Sequence, residues 1–289
     1  MGYQIFTDAT ADFNEEMLWG LPNLEIIPME VLVAGGTYTY GSRGNLTVRQ
    51  FYRMQREGAF ASTSQISPET YRSCFEPFLS EGEDVLYLGF SSGMSGTMNS
   101  AYICKQELEE EYPDRKIICV DTRCASVGLA LLVVEALRKQ AEGIDIEELS
   151  MWVSAYSIDV CHWFMVDTFE HLKHGGRILN AAAVVGSVLN IKPILHVDEE
   201  GKLKVAEKAR GNKAALKSIL SKMKAGWKPE IGDLVIIGHG DCSERAKECK
   251  EKILEEYPHA DVHIADIGPV IGAHTGPGMM AVVYWGNNR

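Results

Sequence analysis

The sequence has little of what marks exported, membrane-spanning or disulfide-stabilised proteins. It contains no run of about 18 apolar residues, which is the length that crosses a bilayer as a helix. Its first residues do not form a basic segment followed by an apolar one. Its seven cysteines include no C-x-x-C pair, and an odd number cannot pair completely. We therefore expect reduced thiols in a cytoplasmic protein.

Positive charge is also scarce. Lys and Arg number 28 against 40 Asp and Glu, which gives a formal net charge of −12. A field of that sign repels phosphate backbones, so we expect no nucleic-acid partner. Hydrophobic residues make up 46% and charged residues 24% of the 289 positions, as is typical of folded globular chains, and the length suits about two domains.

Short apolar segments alternate with helix-like patterns along the whole chain, which predicts an α/β fold with a mainly parallel core. We predict an N-terminal parallel-sheet α/β domain (residues 1–158) and a smaller C-terminal mixed α/β domain (residues 159–289). The boundary follows a helix that Asp145 caps. A glycine-containing turn at 199–202 predicts a hairpin in the second domain. The predicted strands are Tyr3–Thr7, Leu24–Val33, Val85–Phe90, Ile117–Asp121, Trp163–Val166, Lys192–Val197, Leu234–Gly238, Val262–Ile267 and Met280–Trp285.

Several templates for catalysis and metal binding are missing. No G-x-x-x-x-G-K-[ST] segment occurs, so a P-loop is not expected. The segment from Gly93 to Thr97 has its second glycine one residue too early for the G-x-S-x-G nucleophile turn. His171 and His174 have a spacing that could bind a metal, but no nearby acid completes the set. We expect surface histidines there and no metal site.

A Gly/Ser-rich turn, Ser91–Thr97, follows one apolar strand and precedes a helical pattern. Such a turn places backbone N–H groups and hydroxyls around one point, which suits a carboxylate or phosphate. A structural turn rich in helix caps would have the same composition. Spacing alone leaves both interpretations open.

Three further segments carry polar groups that could reach a ligand. Asp8 and Asp12 follow the first strand, and we favour Asp12 as the cap of the next helix over a cation site. The residues 62–65 form a predicted polar loop before a helix. A glycine-rich stretch at 267–278, also predicted to be a loop, contains His274 and Thr275.

The positive charges concentrate in one stretch, Lys202–Lys228. It holds nine Lys and Arg and one acid, Glu207, so it carries 9 − 1 = +8. Such a run is usually a solvated helix face. The alternative is a docking patch for an acidic partner or an anionic bilayer.

Seven ordered motifs resemble the DegV family of bacterial fatty-acid-binding proteins, which includes the B subunits of fatty acid kinase. The resemblance extends over essentially the whole chain. Three residues depart from the family pattern: Ile66 replaces proline, Met94 replaces leucine, and Asn212 begins a less basic pair. The matching motifs are Phe6–Asp12, Ser62–Gln65, Ser91–Thr97, Val120–Ser126, Gly175–Ile178, Asn190–Ile194 and Ile267–Gly278.

The resemblance implies one long-chain fatty acid, with its carboxylate near the domain junction and its tail in an apolar tunnel. It implies no cofactor, and it implies an ATP-binding fatty acid kinase subunit as partner. Thr63 and Ser95 resemble the hydroxyls that bind the carboxylate, beside Gly96, with His274 and Thr275 on an adjoining loop. Arg177 and Arg210 resemble positions tied to the partner or to gating. The other residues on the implied ligand-adjacent loops are Asp8, Thr10, Ser62, Ser64, Ser92 and Thr97.

A second function remains open from the residues themselves. A stand-alone hydrolase or phosphotransferase could use Asp8, Ser95 and His274. No general base has a recognisable spacing to a nucleophile, so this is the weaker hypothesis. The carrier hypothesis instead predicts a protein without catalytic residues of its own.

Overall fold

The computed structural model of the chain describes residues 2–178 and 190–289. Its first sheet is fully parallel, with the order β2-β1-β6-β7. Every residue of β6 is buried, because helices cover both faces of this sheet. Val85 and Tyr87 pack in one apolar cluster, whereas Leu86 and Leu88 pack in another. The strands are β1 (Tyr3–Asp8), β2 (Leu24–Ile27), β6 (Asp84–Gly89) and β7 (Ile117–Asp121).

A small antiparallel sheet, β4-β3-β5, accompanies the parallel one. Its strands are β3 (Met29–Val33), β4 (Gly36–Tyr40) and β5 (Ala61–Thr63). The prediction of one strand over Leu24–Val33 is therefore wrong, since the segment divides between two sheets at Pro28. Proline has no N–H for a sheet ladder, so it stands where the chain leaves one sheet for another.

The second sheet is mixed and has the order β10-β9-β8-β13-β11-β12. β11 and β12 pair in parallel and the other neighbours are antiparallel. The predicted hairpin is confirmed, because Val197 pairs with Leu203 around the turn. The strands are β8 (Val160–Met165), β9 (Ile191–Val197), β10 (Leu203–Arg210), β11 (Leu234–His239), β12 (Asp261–Asp266) and β13 (Met280–Trp285). The parallel and the mixed sheet together confirm the predicted fold class.

The described helices surround these sheets. α4 is buried along most of its length and packs against β8, β11 and β13 of the second sheet as well as against α5. Asp145 caps α5 as predicted, accepting from the Glu147 and Glu148 amides at 2.9 Å. Division of the chain at residue 158 stays a prediction. The helices are α1 (Val48–Arg56), α2 (Pro68–Ser80), α3 (Thr97–Glu111), α4 (Ser126–Ala141), α5 (Ile146–Tyr156), α6 (Glu170–His174), α7 (Asn212–Gly226), α8 (Ser243–Glu256) and α9 (Pro269–Thr275).

Parts of two segments that we predicted to be loops are regular structure, whereas residues 64–65, 267–268 and 276–278 are loop as predicted. Thr63 is the last residue of β5, and residues 269–275 form α9. Pro269 at the first helical position and Gly276 just after the last one, with φ of 73°, are the usual start and stop residues of a helix. The glycines of this stretch predict a loop, whereas the positions of Pro269 and Gly276 are typical of a helix. Across the two described ranges, no helix has the length and apolarity to cross a bilayer.

Candidate functional site

A cavity of about 80 Å³ lies between the second sheet, α4, α9 and the loops that follow strands of the first sheet. Its walls are mainly apolar, with a few hydroxyl, imidazole and guanidinium groups. The described residues that line it are Thr10, Met29, Thr63, Phe90, Met94, Ser95, Ala125, Ser126, Val127, His162, Phe164, Leu172, Arg177, Val197, Leu203, Val270, Ile271, His274, Thr275, Met279, Ala281 and Val283.

Thr63 and His274 meet at this cavity. Thr63 Oγ1 lies 2.9 Å from His274 Nε2, which joins the end of β5 to α9. Burial, together with the positive charge of Arg177, lowers the pKa of His274 to about 4. The imidazole is therefore neutral at physiological pH. His274 Nδ1 is buried and has no hydrogen-bond partner within the described ranges.

Ser95 lies on the turn before α3 and also lines the cavity. Its hydroxyl donates to Thr97 Oγ1 at 3.0 Å and accepts from the Thr97 amide at 3.3 Å. The turn is held from two sides. Ser91 Oγ donates to Gly201 O of the β9–β10 hairpin at 2.8 Å, and Ser92 Oγ donates to the carboxylate of Asp121 at 2.5 Å.

Arg177 brings a positive charge to the cavity. Its Nε donates to the Met94 carbonyl at 3.2 Å and its Nη1 to the Gly175 carbonyl at 2.6 Å. No carboxylate pairs with it in the described part of the chain. Arg177 thus joins the turn that carries Ser95 to the segment after α6, with its charge uncompensated by an acid.

Asp8 does not line the cavity, but it holds Thr10, which does. Its carboxylate accepts from Thr10 Oγ1 at 2.5 Å, from the Thr10 amide at 3.0 Å and from Tyr87 Oη at 2.6 Å. Thr10 lines the cavity, as does Thr275, whose hydroxyl donates to Ile271 O at 3.1 Å. The hydroxyl groups of both threonines are thus held by internal hydrogen bonds.

Our prediction that Asp12 caps the next helix is wrong. Asn14 caps the short 3-10 helix that follows, accepting from the Glu16 amide at 3.0 Å. Asp12 is buried instead, and its carboxylate accepts from Ser126 Oγ at 2.5 Å and from the Gly268 amide at 2.7 Å. It therefore links β1 to the starts of α4 and α9. Burial raises the pKa of Asp12 to about 7.

The remaining predicted residues do not line the cavity. Gly96 packs against Gln65, so close that a Cβ at position 96 would lie 2.8 Å from Gln65 Nε2. Ser64 donates its amide to Glu30 O at 3.3 Å. Ser62 and Arg210 are exposed, the latter at the end of β10. The predicted ligand-adjacent residues outside the lining are Asp8, Ser62, Ser64, Ser92 and Thr97.

The three residues of the hydrolase hypothesis do not form a hydrogen-bonded chain. His274 bonds to Thr63, Ser95 bonds to Thr97, and Asp8 bonds to Thr10 and Tyr87. A nucleophile activated by a base requires hydrogen-bond contact between the two. The geometry gives Ser95 and His274 separate partners.

Comparison with known proteins places the chain in a family. The family described as "Uncharacterised protein, DegV family" matches residues 3–287. The chain belongs to the DegV family. A DegV domain-containing protein of Clostridium perfringens is 39% identical over 287 residues, covering 99% of this chain and 98% of the relative.

Solved DegV structures share the fold. A fatty-acid-binding DegV family protein from Thermus thermophilus superposes with a TM-score of 0.85 at 29% identity, covering 99% of this chain and 100% of the other. The fatty acid kinase B3 protein of Streptococcus pneumoniae, solved with linoleic acid, has a TM-score of 0.87 at 22% identity, with 99% and 100% coverage. At that identity the second similarity is one of fold.

In this DegV protein His162 also lines the cavity, although no sequence motif marks it. His162 on β8 lies 2.9 Å from Val160 O through Nδ1, and its Nε2 accepts from the Ala125 amide at 3.3 Å. Burial lowers the pKa of His162 to about 3. The ring fits because residue 128 is glycine, since a Cβ there would lie 1.9 Å from Nε2. The alternation of side chains along β8 could have shown which face of the strand carries His162. It could not have shown that this face lines a cavity.

His174 is exposed, as predicted for a surface histidine, and His171 is half-buried. The exposed Phe60 ring stacks on His174 with centroids 4.8 Å apart and contacts His171 at 5.0 Å. Within residues 2–178 and 190–289, no three His, Cys, Asp or Glu side chains are grouped to hold a metal ion. The pair packs against an aromatic ring beside α9.

Proposed function

We propose that this chain binds one long-chain fatty acid in the cavity, with the carboxylate at Thr63, Ser95 and Arg177 and the tail along β8 and β13. The observation that carries the proposal is the lining of the cavity, in which the bonded pair Thr63 and His274 and the positive charge of Arg177 meet mainly apolar walls. A buried carboxylate requires such hydrogen-bond donors, and an alkyl chain requires the apolar walls. The DegV relative from Thermus thermophilus is itself described as binding fatty acid.

The neutral imidazole of His274 prepares Thr63 as a donor. If Nε2 carries the proton, His274 donates to Thr63 Oγ1, and the Thr63 hydroxyl is free to donate to a carboxylate. Nδ1, which has no partner among the described residues, is then a lone pair. The other tautomer would bury an N–H group without an acceptor, and a buried unsatisfied group costs about 1–3 kcal/mol. The donor order His274, Thr63, carboxylate is therefore favoured.

The apolar walls of the cavity suit an alkyl tail. Met94 and Met279 are among the residues that line it and could move to admit the chain. Methionine side chains adapt in this way at low cost. Burial of about 14 methylenes at ~0.8 kcal/mol each yields roughly 11 kcal/mol of gross affinity, against ordering costs of comparable size.

We propose further that the protein presents the bound acid to an ATP-binding fatty acid kinase subunit and is not itself an enzyme. The resemblance of the Gly175–Ile178 motif to the family pattern supports this role. Arg177, which lacks an acidic partner in the described residues, gives the carboxylate end a charge that would also suit an acyl phosphate. Arg210, at the exposed end of β10, is the second proposed partner residue.

The basic stretch is proposed as a docking patch for the acidic partner or for an anionic membrane. Part of its charge is already used, because Lys202 pairs with Glu200 at 2.6 Å, and Lys204 with Asp198 and Lys222 with Glu207, both at 3.5 Å. On α7, Lys213 and Lys217 are exposed and have no ion pair in the part of the chain described here. These two lysines are available to a partner, as are the exposed Lys208 and Arg210 on β10.

Native mass spectrometry of the protein purified from cells tests the carrier proposal directly. We expect one equivalent of a long-chain fatty acid, identified after denaturation and extraction. The double variant Thr63→Ala with Ser95→Ala should weaken palmitate binding at least tenfold. A protein that carries no lipid and takes up no added palmitate would contradict the proposal, and ester turnover lost in Ser95→Ala would favour the hydrolase.

A further inference from the structure

We propose that His162 and Val283 together close the far end of the cavity and set the length of alkyl tail that the protein accepts. The inference rests on the proposed fatty-acid function. It assigns tail-length selection to two adjacent residues on neighbouring strands, which the sequence motifs did not mark.

The residues of β8 and β13 that line the cavity form successive cross-strand pairs, and each pair is one step along the sheet. Phe164 pairs with Ala281, and His162 pairs with Val283. Steps that face the same side of a strand are two residues, or about 6.8 Å, apart. The next pair in the register is Val160 with Trp285, and neither of these residues lines the cavity. The lining of these two strands therefore ends at His162 and Val283.

The bonded pair Thr63 and His274 lies toward the opposite end of these steps. Met279 lines the cavity immediately before β13, only five positions after His274. Leu172 lines it from α6, which follows the end of β8 at Met165. The carboxylate end therefore adjoins Met279, and a tail that starts there runs past Ala281 toward Val283.

His162 is a rigid stop rather than a polar contact for the ligand. Its Nδ1–H donates to the Val160 carbonyl and its Nε2 accepts from the Ala125 amide, so both ring nitrogens are occupied. Gly128 stands against the ring from α4. A ring fixed from three sides presents carbon atoms to the tail and cannot move aside as a methionine can.

The sharpest test changes Val283, because replacing His162 would also orphan the Ala125 amide. Val283→Ala removes two methyl groups at the proposed stop, and Ala281→Leu fills the cavity one step earlier. Val282→Ala is the matched control, since Val282 is the same residue type, equally buried, on the opposite face of β13. Relative affinities of each protein for saturated acids from dodecanoic to eicosanoic acid are measured by competition.

We expect Val283→Ala to bind best an acid one or two methylenes longer than the wild type does, gaining about fourfold for each added methylene that becomes buried. Ala281→Leu should lose at least tenfold for the longest acids and keep the shorter ones. Val282→Ala should keep the wild-type order. Because only ratios between acids are compared, a partly unfolded variant still reports its preference.

Two negative results separate the two claims. A wild-type protein that binds no fatty acid would contradict the proposed function and this inference with it. A wild-type protein that binds fatty acids, together with Val283→Ala and Ala281→Leu variants that share its order of preference, would overturn only the assignment of the tail end.

Discussion

Thr63 Oγ1 lies 2.9 Å from His274 Nε2, and this contact joins the small antiparallel sheet to a helix that precedes the last strand of the mixed sheet. Residues 211 positions apart in the chain thereby meet at one wall of the cavity. His274 stays neutral because burial lowers its pKa to about 4. The pair can thus orient a hydroxyl toward a carboxylate without adding a second charge beside Arg177.

The first prediction concerns that hydroxyl. Thr63→Ala should weaken palmitate binding about tenfold or more, since a hydrogen bond to a charged group contributes about 1.5–3 kcal/mol. Thr63→Ser keeps the hydroxyl and should retain most of the affinity. Ser62→Ala is the matched control, because Ser62 is the exposed neighbour on the same strand. Isothermal titration of all three variants checks this, and equal losses in Thr63→Ala and Ser62→Ala would contradict it.

The sequence predicted the elements better than their contacts. Apolar segments marked the strands of both sheets, because alternation and burial are local properties of the chain. The motifs named Thr63, Ser95 and His274, and all three line the cavity. The sequence could not show that Asp12 accepts hydrogen bonds from Ser126 and Gly268, because these contacts span 114 and 256 positions. Such pairings depend on how whole elements pack, which periodicity does not encode.

Leu24–Val33 and α9 show a second limit, at shorter range. The apolar run alone predicts one strand, yet Pro28 marks a change of sheet within it. In α9 the glycines suggested a loop, yet Gly272 and Ala273 are buried where the helix packs against its neighbours. In both elements a proline visible in the sequence, Pro28 or Pro269, marks a boundary that hydropathy and glycine content alone do not.

The second prediction concerns Gly128. A helical Gly→Ala change usually stabilises by up to about 1 kcal/mol. Here the new Cβ would lie 1.9 Å from His162 Nε2, and the ring is held by two hydrogen bonds. We expect Gly128→Ala to lower the free energy of unfolding by about 2–3 kcal/mol, as overpacking of a core does. Urea denaturation measures the change.

The His162→Ala background provides the control for Gly128. With the imidazole gone, Gly128→Ala should become neutral or stabilising. A double-mutant cycle then gives the coupling between the two positions. If Gly128→Ala cost as much in that background as in the wild type, contact with His162 would not be the reason for the glycine.

The third prediction concerns the exposed lysines of α7. Lys213→Glu with Lys217→Glu should reduce binding to anionic vesicles about thirtyfold or more, because each cation near such a surface contributes about 1 kcal/mol. Lys105→Glu with Lys116→Glu makes the same change of charge on the first sheet's side and should have little effect. Vesicle sedimentation at two salt concentrations measures both variants. Equal binding by the two double variants would contradict the proposed contact of this patch with an anionic membrane.

The fourth prediction concerns Asp12 and pH. Burial raises the pKa of Asp12 to about 7 in the folded chain, whereas an unfolded aspartate titrates near 3.9. Between these values the folded protein holds one more proton than the unfolded one. The contribution of Asp12 to the free energy of unfolding therefore falls as pH rises through this window, by up to about 1.4 kcal/mol per pH unit. Above about 7 both states are ionised and the loss is complete.

Asp12→Asn isolates this effect, because the amide does not titrate and its oxygen still accepts from the Gly268 amide. The buried His162 has the opposite pH dependence, since burial lowers its pKa to about 3 and acid then favours unfolding. That contribution is common to wild type and variant and cancels in their difference. The stability of the wild type relative to Asp12→Asn should therefore decrease from pH 5 to pH 7.5 in chemical denaturation. A difference that is constant with pH would mean that Asp12 ionises as readily in the folded protein as in the unfolded chain.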